Sequence, residues 1–329
     1  MPFRIRIFLS IFLALFVLLA IGPFLIPLPE LENTVPAESL AAEAGSFIEV
    51  DGVRLHVREA GNGPAAYLLL HGYPANVESW RKILPELALY GRVVAVDRIG
   101  FGLSDRPLPG SWSRGDNPYL AEAQLERALA VLDRLGIDQA VWIGSSSGAI
   151  VALQAALERP ERVAALVLVG APAYGGRSPP RWLRPLLHTP QMDRVGPLLM
   201  RQLGGPPGMN LFASQWTVPE RIGSDDISSF RRTFEVEDWD RALWEVSKAS
   251  RPADVDRQLA DVDVPTLVVA GAQDEIVPPD ESERLARELP RATLGLMEDC
   301  GHLPHEECPS AFMDVVSDWL STLAEPAGR

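Results

Sequence analysis

Cysteine is almost missing. The 329 residues hold two, Cys300 and Cys308, too few for a disulfide framework and without the C-x2-C spacing of a zinc site. One disulfide closing a short loop and a pair of free thiols are both open readings. Lysine is nearly as rare: Lys82 and Lys248 are the only two among 30 basic residues, a bias from which no function follows. No basic cluster interrupts the excess of 44 acidic residues, which leaves a net charge of −14. A phosphate backbone would be repelled over most of such a surface, so nucleic acid is excluded as a main partner. With 47% apolar and 22% charged residues, the chain is neither disordered nor a bundle of membrane spans. Its length allows one large domain or two small ones.

Long apolar runs are also missing, with one exception. Arg4 and Arg6 precede a run from Ile7 to Leu28, broken only by Ser10, Gly22, Pro23 and Pro27. As a helix it would span about 33 Å, close to the hydrocarbon thickness of a bilayer. The uninterrupted part, Ile11 to Ile21, is shorter, and the prolines are expected to kink or end the helix. The reading preferred is an uncleaved anchor. A cleaved signal peptide is its rival, and the first small-x-small site, Ala42-Glu43-Ala44, lies about fifteen residues too far on. A basic flank ahead of the run and an acidic one behind it (Glu30, Glu32, Glu38, Glu43) predict that the chain from about residue 30 onward is extracytoplasmic. Pro27, Pro29 and Pro36 suggest a stiff linker holding the globular part off the membrane.

From Phe47 short β-rich runs alternate with helical segments. Strands are predicted at Phe47–Val50, Arg54–Arg58, Tyr67–Leu70, Val93–Val96, Ala140–Ile143, Ala165–Val169, Thr266–Ala270 and Thr293–Met297. The inner ones are nearly continuous apolar runs, the signature of strands buried on both faces of a parallel sheet. Helices are predicted at Val77–Leu89, Tyr119–Leu135, Ala149–Glu158, Ser282–Glu288 and Ser310–Leu323. The opening pair turns at Asp51-Gly52 as an antiparallel hairpin, and the whole reads as a mostly parallel α/β sheet. Pro172 to Ala260 breaks the alternation: ten prolines, four of the eight tryptophans, and nearly balanced charge, with helical patterns at Met192–Leu203 and Asp238–Ala249. This stretch is expected to be a helical lid inserted between two strands. The expected organisation is therefore a membrane segment and linker (1–45), a core (46–171 and 261–329) and a lid (172–260).

The chemistry gathers where strands end. Gly144-Ser145-Ser146-Ser147-Gly148 is G-x-S-x-G between a strand and a helix, a sharp turn that presents its central serine above the sheet edge. Ser145 and Ser147 are alternatives, but only Ser146 has glycines at symmetric spacing. A serine hydroxyl needs a base. Of five histidines, His56 and His188 read as core or surface residues, His71 precedes the serine, and His302 and His305 follow the last strand. Gly301 ahead of His302 would let that loop turn, so His302 is the expected base and His305 its neighbour. The imidazole needs an acid to fix its tautomer. Asp274, in the loop after the seventh strand, is preferred over Glu275 and Asp280. An oxyanion hole needs two donors, expected from the backbone N–H groups of Ser147 and Tyr73, the latter following His71-Gly72.

Taken in order, His71-Gly72-Tyr73-Pro74, the segment from Asp97 to Asp105, Gly144 to Gly148, Gly271 to Pro278 and Gly301-His302 resemble the landmarks of the α/β-hydrolase fold family from Phe47 to about Leu323. The resemblance implies about eight strands with helices on both faces and a helical lid. The segment from Asp97 to Asp105 is similar to a structural loop of the family, a turn that supports the site wall. Similar haloalkane dehalogenases and epoxide hydrolases carry aspartate at the elbow. Serine there points instead to carboxylesterases, lipases, carbon–carbon bond hydrolases, cofactor-free haloperoxidases or iminopeptidases. The expectation is a serine hydrolase of neutral, apolar, short-to-medium acyl esters, with no metal or organic cofactor. A non-catalytic small-ligand binding protein on the same fold is the alternative from another class. Large apolar residues of the lid, among them Trp182, Leu183, Leu186, Leu199, Leu211, Phe212, Trp216, Phe230, Trp239 and Trp244, are expected mostly to pack it onto the core and partly to roof the pocket.

Overall fold

A computed structural model describes residues 3–41, 45–113, 115–175, 184–250 and 254–324. An apolar helix α1 (Phe3–Leu25) and a short α2 (Ala37–Ala41) precede the sheet. Its strands are β1 (Ser46–Val50), β2 (Val53–Ala60), β3 (Ala66–Leu70), β4 (Arg92–Val96), β5 (Ala140–Ser145), β6 (Val163–Val169), β7 (Thr266–Gly271) and β8 (Ala292–Met297). They form one eight-stranded sheet in the order β1-β2-β4-β3-β5-β6-β7-β8. β1 and β2 pair antiparallel, as do β2 and β4, and every other pairing is parallel. This is the mostly parallel α/β sheet that the strand pattern predicts, and the eight-stranded architecture that the resemblance to the α/β-hydrolase fold implies. β3, β5 and β7 are buried along their whole length, which is why Val, Leu, Ile and Ala make up most of them.

Helices α3 (Leu84–Leu87), α4 (Ala121–Arg134) and α5 (Ser147–Glu158) lie in the first half. The helix expected over Val77–Leu89 is instead a 3₁₀ turn at Val77–Trp80 followed by α3. Asp97 accepts the Val77 N–H at 2.7 Å and the Leu103 N–H at 2.8 Å, so the Asp97 loop does brace the wall beside this turn. Between β6 and β7 the described residues form α6 (Arg184–Leu187), α7 (Pro190–Met200), α8 (Pro206–Ala213), α9 (Ser224–Arg232) and α10 (Trp239–Ala249), joined by 3₁₀ turns. Trp182 and Leu183 lie outside the described residues, as does Ala42-Glu43-Ala44. Helices α11 (Pro279–Glu288), α12 (Pro304–Glu307) and α13 (Pro309–Ala324) complete the chain. Helix α11 starts three residues before its predicted start because Pro279 takes the first helical position, where its missing N–H costs nothing.

Helix α1 ends where the prolines predict: Gly22 and Pro23 fall in its last turn, which closes at Leu25 just before Pro27. One N-terminal expectation needs correction. The stretch after α1, expected as a stiff linker holding the globular part off the membrane, is docked on that part. Arg194 donates to the Ile26 carbonyl at 3.0 Å. Val35 pairs with Val236, its N–H meeting the Glu235 carbonyl at 2.8 Å. Ala37 and Ala41 are buried with Leu103 and Val236. The segment thus lies against the body rather than away from it, turning at Asn33, whose φ is 59°.

Candidate active site

Register places the carboxyl ends of β5, β6 and β7 side by side, with Ser145 opposite Val169 and Val169 opposite Val269. In open α/β sheets such an edge is where ligands bind. Ser146 sits just past β5 with φ 50° and ψ −118°, a left-handed conformation rare for a residue with a side chain. The flanking glycines show why it is tolerated. A Cβ at Gly148 would lie 2.2 Å from the Leu70 carbonyl oxygen, and one at Gly144 would lie 2.5 Å from Ala149 Cα. Helix α5 can therefore rise this steeply off the sheet only with glycine at both positions. The elbow is pinned by the Ser146 N–H, which donates to the Val169 carbonyl at 2.8 Å.

The three serines are distinguishable. Ser145 Oγ is buried with no hydrogen-bond partner among the described residues, and Ser147 Oγ accepts from Arg98 Nη2 at 2.8 Å. Ser146 is half-buried, lines a cleft, and its hydroxyl makes no hydrogen bond among the described residues.

His302 and Asp274 are brought together. His302 Nδ1 lies 2.7 Å from Asp274 Oδ2, with both side chains buried. The other carboxylate oxygen of Asp274 accepts the N–H groups of Ile276 at 2.8 Å and Val277 at 2.9 Å. The acid is thus fully satisfied as an anion, and it can only accept from the imidazole. Its rivals Glu275 and Asp280 are exposed. Gly170 stands between this pair and the elbow: it follows Val169, and a Cβ on it would lie 3.0 Å from the His302 ring and 3.4 Å from Asp274 Oδ2.

Gly301 serves differently from expectation. The left-handed residue of this loop is Asp299, with φ 55°. Gly301 is needed because a Cβ there would lie 2.6 Å from the Gln215 carbonyl oxygen. That carbonyl accepts the His302 N–H at 2.8 Å. Cys300 and Cys308 are joined in a disulfide that closes the loop around His302, which settles the question left open by the sequence.

Of the remaining histidines, His188 is exposed in the helical stretch and the other three have structural partners. Burial pushes His71 down to about 3, and its Nε2 accepts the Arg98 N–H at 3.1 Å. His305 is likewise pushed to about 3 by burial, stacks on Trp80 and meets Ser79 Oγ through Nε2. His56 is buried against Asp97 at 2.8 Å. Tyr73 and Ser147 flank the elbow from the two sides. Gly72, just before Tyr73, approaches so closely that a Cβ on it would be 3.1 Å from Ser146 Cβ. Ser147 opens α5, so its N–H has no partner within the helix.

The cleft beside Ser146 is bounded by Gly72, Tyr73, Pro74, Ala75, Asn76, Ser79, Ser146, Phe212, Gln215, Ser229, Phe230, Leu303 and Glu306. No cationic side chain is among them. The polar members are largely spent on one another: Asn76 donates to the Ser229 carbonyl and to Thr233 Oγ1, and Ser79 donates to Glu306. No group of His, Cys, Asp and Glu suited to a metal ion occurs among the described residues.

Two residues were missed by sequence reasoning. The Glu307 carboxylate is buried and accepts the N–H groups of Gly301 at 2.8 Å, Val218 at 2.9 Å and Thr217 at 3.1 Å, tying the His302 loop to the helical stretch. Arg98 is buried behind the elbow, holding Ser147 and Gln124 and lying over the Phe101 ring. Burial without a carboxylate partner pulls it down to about 9, so it stays cationic at neutral pH. The one available signal for Arg98 was its place in the Asp97–Asp105 segment already read as bracing the site wall, and Glu307 had none.

The chain belongs to the α/β-hydrolase fold family, whose model matches residues 67–309, and is a hydrolase of the serine type. It is 31% identical over 300 residues to a 2-hydroxymuconate semialdehyde hydrolase of Pseudomonas sp. (strain CF600), covering 85% of this chain and 94% of that one. A thermophilic esterase from Thermogutta terrifontis superposes with a TM-score of 0.68 at 25% identity, over 85% of this chain and 97% of that one. An enol-lactonase from Burkholderia xenovorans LB400 shares the fold at a TM-score of 0.69 and 23% identity, over 84% of this chain and all of that one.

Proposed function

We propose that the protein is a membrane-anchored esterase in which Ser146, His302 and Asp274 act as nucleophile, base and acid. Ser146 Oγ attacks the ester carbonyl while His302 Nε2 takes its proton. Asp274, bonded to Nδ1, fixes the tautomer and stabilises the imidazolium. The N–H groups of Tyr73 and Ser147 receive the oxyanion, and the Arg98 cation behind Ser147 favours the same charge. His302 then protonates the leaving alcohol, and water attacks the acyl-enzyme by the reverse proton route. No step calls on a metal or an organic cofactor. The Ser146 hydroxyl makes no hydrogen bond among the described residues, and substrate binding aligns it with the imidazole, as is common for catalytic hydrogen bonds.

The observation that carries the substrate class is that, among the described residues, no cation stands on the cleft wall and Glu306 is its one carboxyl. A neutral ester meets no penalty there, while an anionic substrate finds no counter-charge. Tyr73, Phe212, Phe230 and Leu303 supply the apolar walls. The stretch between β6 and β7 acts as the lid, contributing Phe212, Gln215, Ser229 and Phe230. A second reading, carbon–carbon bond hydrolysis, is favoured by the 31% identity to the Pseudomonas semialdehyde hydrolase. A p-nitrophenyl ester series run beside a dienoate semialdehyde separates them. Rising kcat/KM from acetate to medium chains supports the esterase. Faster turnover of the dienoate overturns it, and absence of fluorophosphonate labelling would remove both in favour of a binding protein.

The anchor reading rests on α1, long and apolar enough to cross a membrane. The Cys300–Cys308 disulfide supports an extracytoplasmic catalytic domain, since such bonds persist in oxidising compartments. N-terminal sequencing of the membrane fraction tests it: a chain beginning near Gly45 defeats the anchor.

A further inference from the structure

We propose that helices α6 to α8 lie on the bilayer that α1 crosses, with Leu186, Leu199 and Leu211 in its interfacial region, and that the ester enters the cleft from the lipid. The inference rests on reading α1 as a retained anchor and the site as a hydrolase site. Phe3 to Leu19 are exposed along their whole length, and only the end of α1 meets the globular body. That contact is made by α7. Gln191 Nε2 donates to the Ala20 carbonyl at 3.1 Å, and Arg194 Nη2 to the Ile26 carbonyl at 3.0 Å. Ala20 lies more than a turn inside the end of α1, so a bilayer spanned by α1 must reach the level of α7. The Val35–Val236 pairing then prevents the following segment from paying out as a tether.

The helices placed there are suited to lipid. Gln191, Arg194, Val195, Leu198 and Leu199 fall at i, i+3, i+4, i+7 and i+8, one face of α7. Leu199 on that face is 49% exposed, and Leu186 and Leu211 on the adjoining helices are 52% and 38% exposed. In water each of these is an unburied apolar side chain. At a headgroup boundary each is stabilised by burial, as on an interfacial amphipathic helix. The same helices reach the cleft: Met200 Sδ, at the end of α7, is 3.5 Å from Tyr73 Oη, and Phe212, next to Leu211, lines the wall. A neutral ester dissolved in the bilayer therefore has a short apolar route to Ser146.

The test uses the full chain reconstituted into phosphatidylcholine vesicles, with the lipid brominated near the carboxyl ends of its acyl chains as quencher. Leu199→Trp and Leu211→Trp should each show added fluorescence quenched about twofold or more, and Leu89→Trp, near the start of β4 at the opposite end of the strands, should be unquenched. Leu199→Glu and Leu211→Glu should lower kcat/KM for a vesicle-dissolved p-nitrophenyl decanoate by about fivefold or more, with hydrolysis of aqueous p-nitrophenyl acetate held within about twofold. Equal quenching at Leu199→Trp and Leu89→Trp in a chain that keeps α1 overturns the docking and leaves the anchor intact. Loss of α1 from the mature chain overturns both. Quenching without turnover of either ester keeps the docking and removes the esterase. Equal losses on both esters in the glutamate variants overturn entry from the lipid.

Discussion

Ser146 and His302 stand at the same edge of one sheet but are held there by different means. Ser146 is fixed by backbone sterics within the core: the end of β5, the start of α5, and two glycines whose replacement would drive a Cβ into backbone, at Gly148 into that of Leu70. His302 is fixed by partners far away in sequence, namely Asp274, the Gln215 carbonyl, Glu307 through Gly301, and the Cys300–Cys308 ring. The nucleophile belongs to the core alone, whereas the base is shared between the core and the helical stretch. Movement of that stretch should therefore be felt at His302 and hardly at Ser146.

The largest effects test the pair itself. Ser146→Ala or His302→Ala should reduce kcat by about 10⁶, and Asp274→Asn by about 10⁴, in steady-state ester hydrolysis. Retained activity in either alanine variant would remove the residue from the mechanism. A sharper test of the comparison is Glu307→Gln. The amide keeps the volume but turns an N–H donor toward backbone N–H donors, so the His302 loop should loosen while the elbow stays in place. We expect kcat to fall about 10- to 100-fold with KM little changed, and fluorophosphonate labelling to slow in proportion. Unchanged labelling would mean that the loop is held without the helical stretch.

The contrast between the two residues is also one of legibility. The strands declared themselves because burial on both faces demands continuous apolar runs, as in Leu68-Leu69-Leu70 or Leu267-Val268-Val269. The elbow declared itself because the residues that must be glycine or serine lie within five positions, even though the Leu70 carbonyl that Gly148 clears is far away in sequence. The segment after α1 was misread because its proline content describes chain stiffness, and its docking depends on Val236, some 200 residues on. Glu307 escaped because a buried glutamate is written with the same letter as a solvated one. Nothing around it signals that it would meet Thr217 and Val218. Gly301 was recognised as necessary but for the wrong reason, since the close approach of Gln215 cannot be seen locally.

Smaller effects should appear in acid. His71 and His305 are both held near 3 by burial, below an ordinary value of about 6.5. Between those limits the unfolded chain binds protons that the native chain refuses, so stability falls as pH drops through 6.5 and rises again with pH. At pH 5 the loss should be on the order of 2 kcal/mol per histidine relative to pH 8. Glu306, raised by burial beside His305, opposes part of it, because the native state there retains its proton longer. Urea midpoints measured from pH 8 to 5 should decline, and His305→Asn should remove close to half of the slope. A flat midpoint in the parent chain would contradict neutral, buried imidazoles.

The disulfide should matter least to catalysis, although it encircles the base. Cys300 and Cys308 are eight residues apart, and closing so short a ring removes only about 2–3 kcal/mol of chain entropy from the unfolded state. Within the native loop, the N–H groups of Gly301 and His302 keep their bonds to Glu307 and Gln215 whether or not the sulfurs are joined. Reduction with dithiothreitol, or the Cys300→Ala/Cys308→Ala double variant, should therefore lower the melting temperature by several degrees, roughly 2–4 °C per kcal/mol for a domain of this size. At a temperature where the variant stays folded, kcat should remain within about threefold, well short of the Glu307→Gln loss. If the reduced enzyme instead falls to the level of Glu307→Gln, the covalent ring holds His302 in place. The division between a locally built nucleophile and a base propped by the helical stretch would then have to be redrawn around the loop alone.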